Sequence, residues 1–277
     1  MVGDRFRFLV RTFHEPDSRT QLVHPLNVAI GAMKRRLQGD TDVAILLLPL
    51  AAQASSLKVY PVRIVLTPKE PVQTMTIQNG SAETARIQLR VFSWRQVDGE
   101  DKFEETRDVL ANPGLFEIAG QGEQIARFGL RTSPGTVEKS YRVVLEEVPG
   151  LRPSEPGQVR TLLRISIPIF VPAPNPIGRL SWRAWAAGAR KVMFEIRNQG
   201  TAHVQINRLA LAGRNGTKLG AGDMSIYLLP GASRQIMLDV DAPVRAGESL
   251  KLSAVTDQGN LAADLVAEAA PHETGRP

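Results

Sequence analysis

Histidines, paired carboxylates and glycine-rich loops are where this chain could carry chemistry, and each is scarce or poorly placed. Beyond residue 54 only His203 and His272 remain, which leaves little for a general base or a metal site. His203 closes Gly200-Thr201-Ala202-His203, a segment that reads as a surface turn with no obvious partner. His272 falls in a Pro-, Gly- and charge-rich tail that reads as frayed. Gly213-Arg214-Asn215-Gly216-Thr217-Lys218 has a passing likeness to a phosphate loop, but lacks the spacing and the following helix that such a loop needs. Asp98-Gly99-Glu100-Asp101 is acidic without the alternating ligands of a calcium loop. Glu146 and Glu147 are neighbours, so on a strand they point to opposite faces and cannot act as a pair. Cysteine is absent, which excludes disulfides, thiolate catalysis and cysteine-held metal sites. The expectation is a chain without catalytic, cofactor-binding or metal-binding residues, and so not an enzyme.

The elements must then be read for binding rather than catalysis. Hydrophobic residues make up 43% and charged residues 22% of the 277, a globular composition long enough for two domains. Aromatics are 5%, so the core must rest on Val, Ile, Leu and Ala, which suits stacked sheets. The net charge of +6 raises nucleic acid as a partner. Arg86, Arg90, Arg127, Arg131 and Arg142, however, stand singly among apolar residues as on solvated strand faces, and no basic run is interleaved with aromatics.

The first 54 residues read as a leader. Met33-Lys34-Arg35-Arg36 supplies a basic segment, Val43 to Ala52 an apolar one, and Ala52-Gln53-Ala54 a cleavage site. Together, residues 33–54 form an expected signal peptide, with the mature chain starting near Ser55 and no membrane span. Residues 1–32 read as an over-long start.

From residue 55 to 172 short β-prone segments alternate with turn signals, the pattern of a sandwich. Val59, Val62, Ile64 and Leu66 read as one first strand. Asn79-Gly80 and Asp98-Gly99 are turn dipeptides. Pro172, Pro174 and Pro176 then forbid regular pairing, and a second sandwich is expected over 177–268 with a hairpin turn at Asn215-Gly216. Between Val159 and Ile169 the alternate residues Val159, Thr161, Leu163, Ile165, Ile167 and Ile169 make one apolar face, while Arg160, Arg164 and Ser166 interrupt the other. Such a strand is either central, with that face in the core, or an edge that a partner must cover.

Five segments in order carry a resemblance: Val59-Tyr60-Pro61-Val62-Arg63-Ile64, Arg90 to Trp94 with Asp98-Gly99-Glu100, Ser140 to Pro149, Ile165 to Pro172, and Tyr227-Leu228-Leu229-Pro230-Gly231. Over roughly residues 57 to 265 the chain resembles the periplasmic pilus-assembly chaperones, the PapD-like family, in its divergent, archaic-type branch. The resemblance implies an all-β protein of two immunoglobulin-like β-sandwich domains set at an angle, located in the periplasm and needing no cofactor. It would bind pilus or fimbrial subunits by donor-strand complementation and pass them to an outer-membrane usher. The donor strand would be Val159, Thr161, Leu163, Ile165 and Ile167. The family holds the subunit's terminal carboxylate with an Arg on the first strand and a Lys late in the last strand of the first domain. Arg63 matches the Arg, the Lys position falls on Pro168, and Arg164 on the same face is the expected substitute. A secreted immunoglobulin-like adhesion or structural module, and a carbohydrate-active enzyme with a carboxylate pair in a cleft, stay open as other readings.

Overall fold

The computed structural model describes residues 57–149 and 162–271; the leader, Val159, Thr161 and His272 lie outside them. Among the described residues every regular element is a strand, and none is a helix that could cross a membrane.

Ten strands build the N-terminal sandwich: β1 (Leu57–Tyr60), β2 (Ile64–Val65), β3 (Val72–Asn79), β4 (Ala85–Val97), β5 (Glu100–Glu105), β6 (Val109–Asn112), β7 (Leu115–Ile118), β8 (Glu123–Leu130), β9 (Lys139–Glu147) and β10 (Arg164–Val171). One sheet has the order β1-β3-β8-β6; the other has β2-β10-β9-β4-β5, with β7 also on β4. Their facing side chains, among them Met75, Ile77, Ile87, Phe128, Val143, Leu145, Ile165, Ile167 and Ile169, form one core.

Seven strands build the second sandwich: β11 (Leu180–Ala186), β12 (Lys191–Asn198), β13 (Val204–Gly213), β14 (Lys218–Leu228), β15 (Ser233–Asp239), β16 (Ser249–Thr256) and β17 (Gly259–Val266). They pair as β11-β12-β15 and β14-β13-β16-β17 around a core that includes Phe194, Ile206, Leu209, Leu228 and Leu252. In β16 burial alternates at every residue, Leu250, Leu252 and Ala254 inward, as the two-residue period of a strand requires. The protein is thus two immunoglobulin-like sandwiches.

Turn chemistry explains the hairpins. Asp98 and Gly99 both take positive φ, 52° and 77°, which fits a tight turn whose twist matches the flanking strands. Gly216, at φ 83°, closes the β13–β14 loop. Two expectations are corrected. The first strand is not continuous: β1 pairs with β3 in one sheet and β2 with β10 in the other. Pro61 has no N–H to give a ladder, and the chain changes sheets there. Asn79-Gly80 carries the chain from one sheet to the other, with the buried Asn79 amide donating to the carbonyls of Glu83, Ile118 and Ala119.

The two sandwiches meet through a third apolar cluster of Trp94, Phe170, Leu229 and Ala232, with Tyr227 against it. The Gln96 side chain locks this contact. Its amide donates to the Tyr227 carbonyl at 2.9 Å, and its oxygen accepts the Leu229 N–H at 2.9 Å.

Candidate functional site

Beside that cluster the outer face of the β2-β10-β9-β4-β5 sheet and the C-terminal domain form a cleft rich in arginine and aromatic rings. On β9, Tyr141, Val143 and Leu145 point into the core, so Arg142 must point out toward the second domain. It is mostly buried, its guanidinium 3.8 Å from the centre of the Trp94 ring and 5.2 Å from that of Tyr227. Burial lowers its pKa, opposed by attraction from Tyr227 and Asp101. Among the described residues no carboxylate comes within ion-pair distance of it and no hydrogen bond reaches it. Ring stacking therefore holds a desolvated cation whose donors are unused. The expectation of a solvated strand arginine is wrong here, because the second domain covers it.

Arg63 also stands against this ring, 5.8 Å from the Tyr227 centre. Its Nη1 donates to Asp257 Oδ2 at 2.9 Å, and its Nη2 to Gln205 Oε1 and to the Tyr227 hydroxyl at 3.4 Å. Burial lowers the Arg63 pKa, but the Tyr227 hydroxyl and Asp257 outweigh it and raise it overall. Register fixes the arrangement. Pro168 pairs across to Arg142, and the next residue, Ile169, pairs with Ile64. Arg142 thus sits across from Pro168 on β9, and Arg63, just ahead of β2, lies on the other side of β10, about 10 Å away at two strand spacings.

Arg164, the expected substitute, is not brought to this place. It pairs with Glu146 across the ladder, Nε to Oε1 at 3.1 Å, and Glu146 also takes Arg90 at 2.6 Å. The cation beside Pro168 comes from β9, and finding it needed the β9–β10 register that spacing alone does not give.

The expected donor strand divides. Ile165 and Ile167 lie in the domain's own core, Leu163 is half-buried at its margin, and Val159 and Thr161 lie outside the described residues. The free chain thus uses Ile165 and Ile167 for itself. The backbone edge is another matter. β2 covers β10 only at Ile169 and Phe170, and among the described residues no strand pairs with the outer edge from Arg164 to Pro168. An unpaired edge that ends beside two arginines can accept an extended strand and hold an anion at its end.

His203 is likewise not the surface turn residue its neighbours suggest. It is buried, stacked on Phe170 with ring centres 3.6 Å apart and nearly parallel. Its Nδ1 lies 2.7 Å from Glu138 Oε1, which also accepts its backbone N–H at 3.1 Å. These partners come from the other domain and from distant sequence, so no local signal marks them. The loop at 213–217 borders an open hollow of about 790 Å³ with Leu219, Glu248 and Ser249.

Residues 56–176 match the family model "Pili and flagellar-assembly chaperone, PapD N-terminal domain". No curated protein matches the sequence. Among solved structures, the chain is similar to one of the CsuC–CsuE chaperone–tip adhesion subunit complex from archaic chaperone-usher Csu pili of Acinetobacter baumannii, with 18% identity, TM-score 0.57, and 78% of this chain and 100% of that one covered. The YadV chaperone gives 14% identity, TM-score 0.52, and coverage of 76% and 99%. The Salmonella enterica SafA pilin–SafB chaperone complex gives 16%, 0.51, and 78% and 98%.

Proposed function

We propose that this chain, whose residues 56–176 match the pili and flagellar-assembly chaperone model, captures pilus subunits on the open edge of β10 and seats their C-terminal carboxylate between Arg142 and Arg63. The observation that carries this reading is Arg142, a mostly buried guanidinium with free donors at the level where the edge opens. Two of the similar structures hold a chaperone with its pilus subunit, the kind of partner this cleft fits. Backbone hydrogen bonds along β10 supply affinity and alternating apolar side chains supply register. In this reading Leu163 leads the donated face, with Thr161 and Val159 continuing its parity, while Ile165 and Ile167 hold the strand to its own domain. The Met33 to Ala54 leader would take the chain to the periplasm, and an outer-membrane usher would receive the loaded complex.

Co-expression with pilus subunits tests this. The chain should retain a subunit on purification, and Leu163→Glu should lose it while staying folded, since burying a Leu side chain contributes about 1.5 to 3 kcal/mol. Equal retention by Leu163→Glu would contradict the donated face.

A further inference from the structure

We infer that Asp257 and His203 of the C-terminal domain are positioning residues for Arg63, and that a proton taken up on His203 frees the Arg63 guanidinium for an incoming carboxylate. The inference rests on the proposed reading of the cleft as the seat of a subunit's C-terminus.

The geometry is a chain of shared oxygens. Asp257 Oδ1 accepts the Gln205 backbone N–H at 2.8 Å. Its Oδ2 takes Arg63 Nη1 at 2.9 Å and faces His203 Nε2 at 3.3 Å. On the other side of the ring Nδ1 meets Glu138 Oε1 at 2.7 Å. A carboxylate only accepts, so Nδ1 must carry the hydrogen. In the neutral ring Nε2 then turns a lone pair toward Oδ2, two acceptors facing each other, and Nε2 is a buried atom without a hydrogen-bond partner. Protonation at Nε2 converts this mismatch into a charge-assisted contact. Asp257 Oδ2 is then divided between two cations, and its hold on Arg63 weakens.

Every element packed around the ring contributes to the balance. Glu138 comes from ahead of β9, Asp257 from after β16, Arg63 from between β1 and β2, and Tyr227 from β14, while Arg142 stands beyond the Tyr227 ring and Phe170 of β10 covers the imidazole. With His203 neutral, Arg63 and Arg142 face Glu138 and Asp257, and Asp101 of β5 acts on Arg142 as well. Protonation adds one positive charge to the cleft, which favours an incoming carboxylate. Proton and carboxylate should therefore bind cooperatively and reciprocally. Burial works against the charged imidazole, but Asp257 and Glu138 outweigh it and raise the His203 pKa above its ordinary 6.5.

The sequence has four histidines, so NMR can follow the His203 imidazole in the purified chain. Its titration midpoint should fall in Asp257→Asn and rise in Arg63→Ala, where a competing cation is removed. The ligand arm uses a synthetic peptide of alternating valine and threonine with a free C-terminal carboxylate, beside the same peptide amidated. The free acid should raise the midpoint and bind about tenfold more tightly near pH 6 than near pH 8, one unit of proton linkage. The amide, and the His203→Gln protein, should show no such dependence. Unchanged midpoints in both Asp257→Asn and Arg63→Ala, or equal pH profiles for the wild-type and His203→Gln proteins, would overturn the inference. If neither peptide binds at any pH, the reading of the cleft and the ligand half of the inference fall together, while the midpoints alone decide the coupling.

Discussion

Arg183 and Arg142 are the same residue type on outer strand faces of two similar sandwiches, yet they are treated in opposite ways. Arg183, on β11, is exposed and pairs with Glu195 at 2.9 Å and Glu268 at 2.7 Å. The segment that brings Glu268 also closes the second sandwich: its N–H donates to the Ala184 carbonyl and it bridges to Trp185. Arg142, on β9, is covered by aromatic rings and given no carboxylate, and the β10 edge beside it stays open. In the C-terminal domain the segment after β17 bridges the β11 edge at Trp185 and Arg183 is matched, whereas in the N-terminal domain the β10 edge and Arg142 lack such partners among the described residues. In the proposed reading the N-terminal domain takes the partner, with the C-terminal domain as the wall beside it.

The contrast can be broken first along β10. Ile167→Asp should unfold the N-terminal domain, since a charge replaces a side chain with 2% exposure and core losses of this kind run to about 3 to 5 kcal/mol or more. Leu163→Asp, at the core margin, should leave the urea midpoint nearly unchanged while capture is lost. Equal unfolding by both would show that the face is core throughout.

Next in size is the contact between domains. Gln96→Leu leaves the Tyr227 carbonyl and the Leu229 N–H unpaired, at about 1 to 3 kcal/mol in denaturant melts. If the melt does not change, Gln96 is not what joins the sandwiches.

A smaller effect follows from the titrations. Burial opposes the charge on Asp257, but His203, the Gln205 N–H and Arg63 prevail and lower its pKa from 3.8, while that of His203 is raised from 6.5. Stability from the raised histidine is complete below 6.5 and is lost as pH rises through its folded value; that from the lowered aspartate is complete above 3.8 and is lost as pH falls through its folded value. The clasp between the domains should therefore be firmest between these pH values, and the thermal midpoint should decline as pH rises above 6.5. His203→Gln should flatten that decline.

Smallest is Arg183→Ala. Its exposed ion pairs should add little, so the thermal midpoint should hardly move and capture should be normal.

What was legible in the sequence follows from the range over which each feature is encoded. Strands such as Ser249 to Thr256 and turns such as Asp98-Gly99 are local, and residue alternation and dipeptide type reveal them. Neither β11 nor the acidic β5 carries a clean alternation, and pairing defines them instead. Of the proposed anchor, Arg63 is marked by its neighbours, whereas Arg142 acquires its setting from Pro168 across the ladder and from Trp94 and Tyr227, one of them in another domain. His203 was misread for the same reason, since Glu138 and Asp257 reach it only after both domains have folded.

The central claim is that Arg142, rather than Arg164, receives the subunit's carboxylate. The most direct measurement is the retention of one co-expressed pilus subunit by Arg142→Ala, Arg142→Lys and Arg164→Ala proteins. Arg142→Ala should reduce retention more than about a hundredfold, in keeping with about 3 to 5 kcal/mol for removing one partner of a desolvated pair. Lysine should restore part of it as a point charge, and Arg164→Ala should have no effect. Full retention by Arg142→Ala, together with loss in Arg164→Ala, would contradict the account.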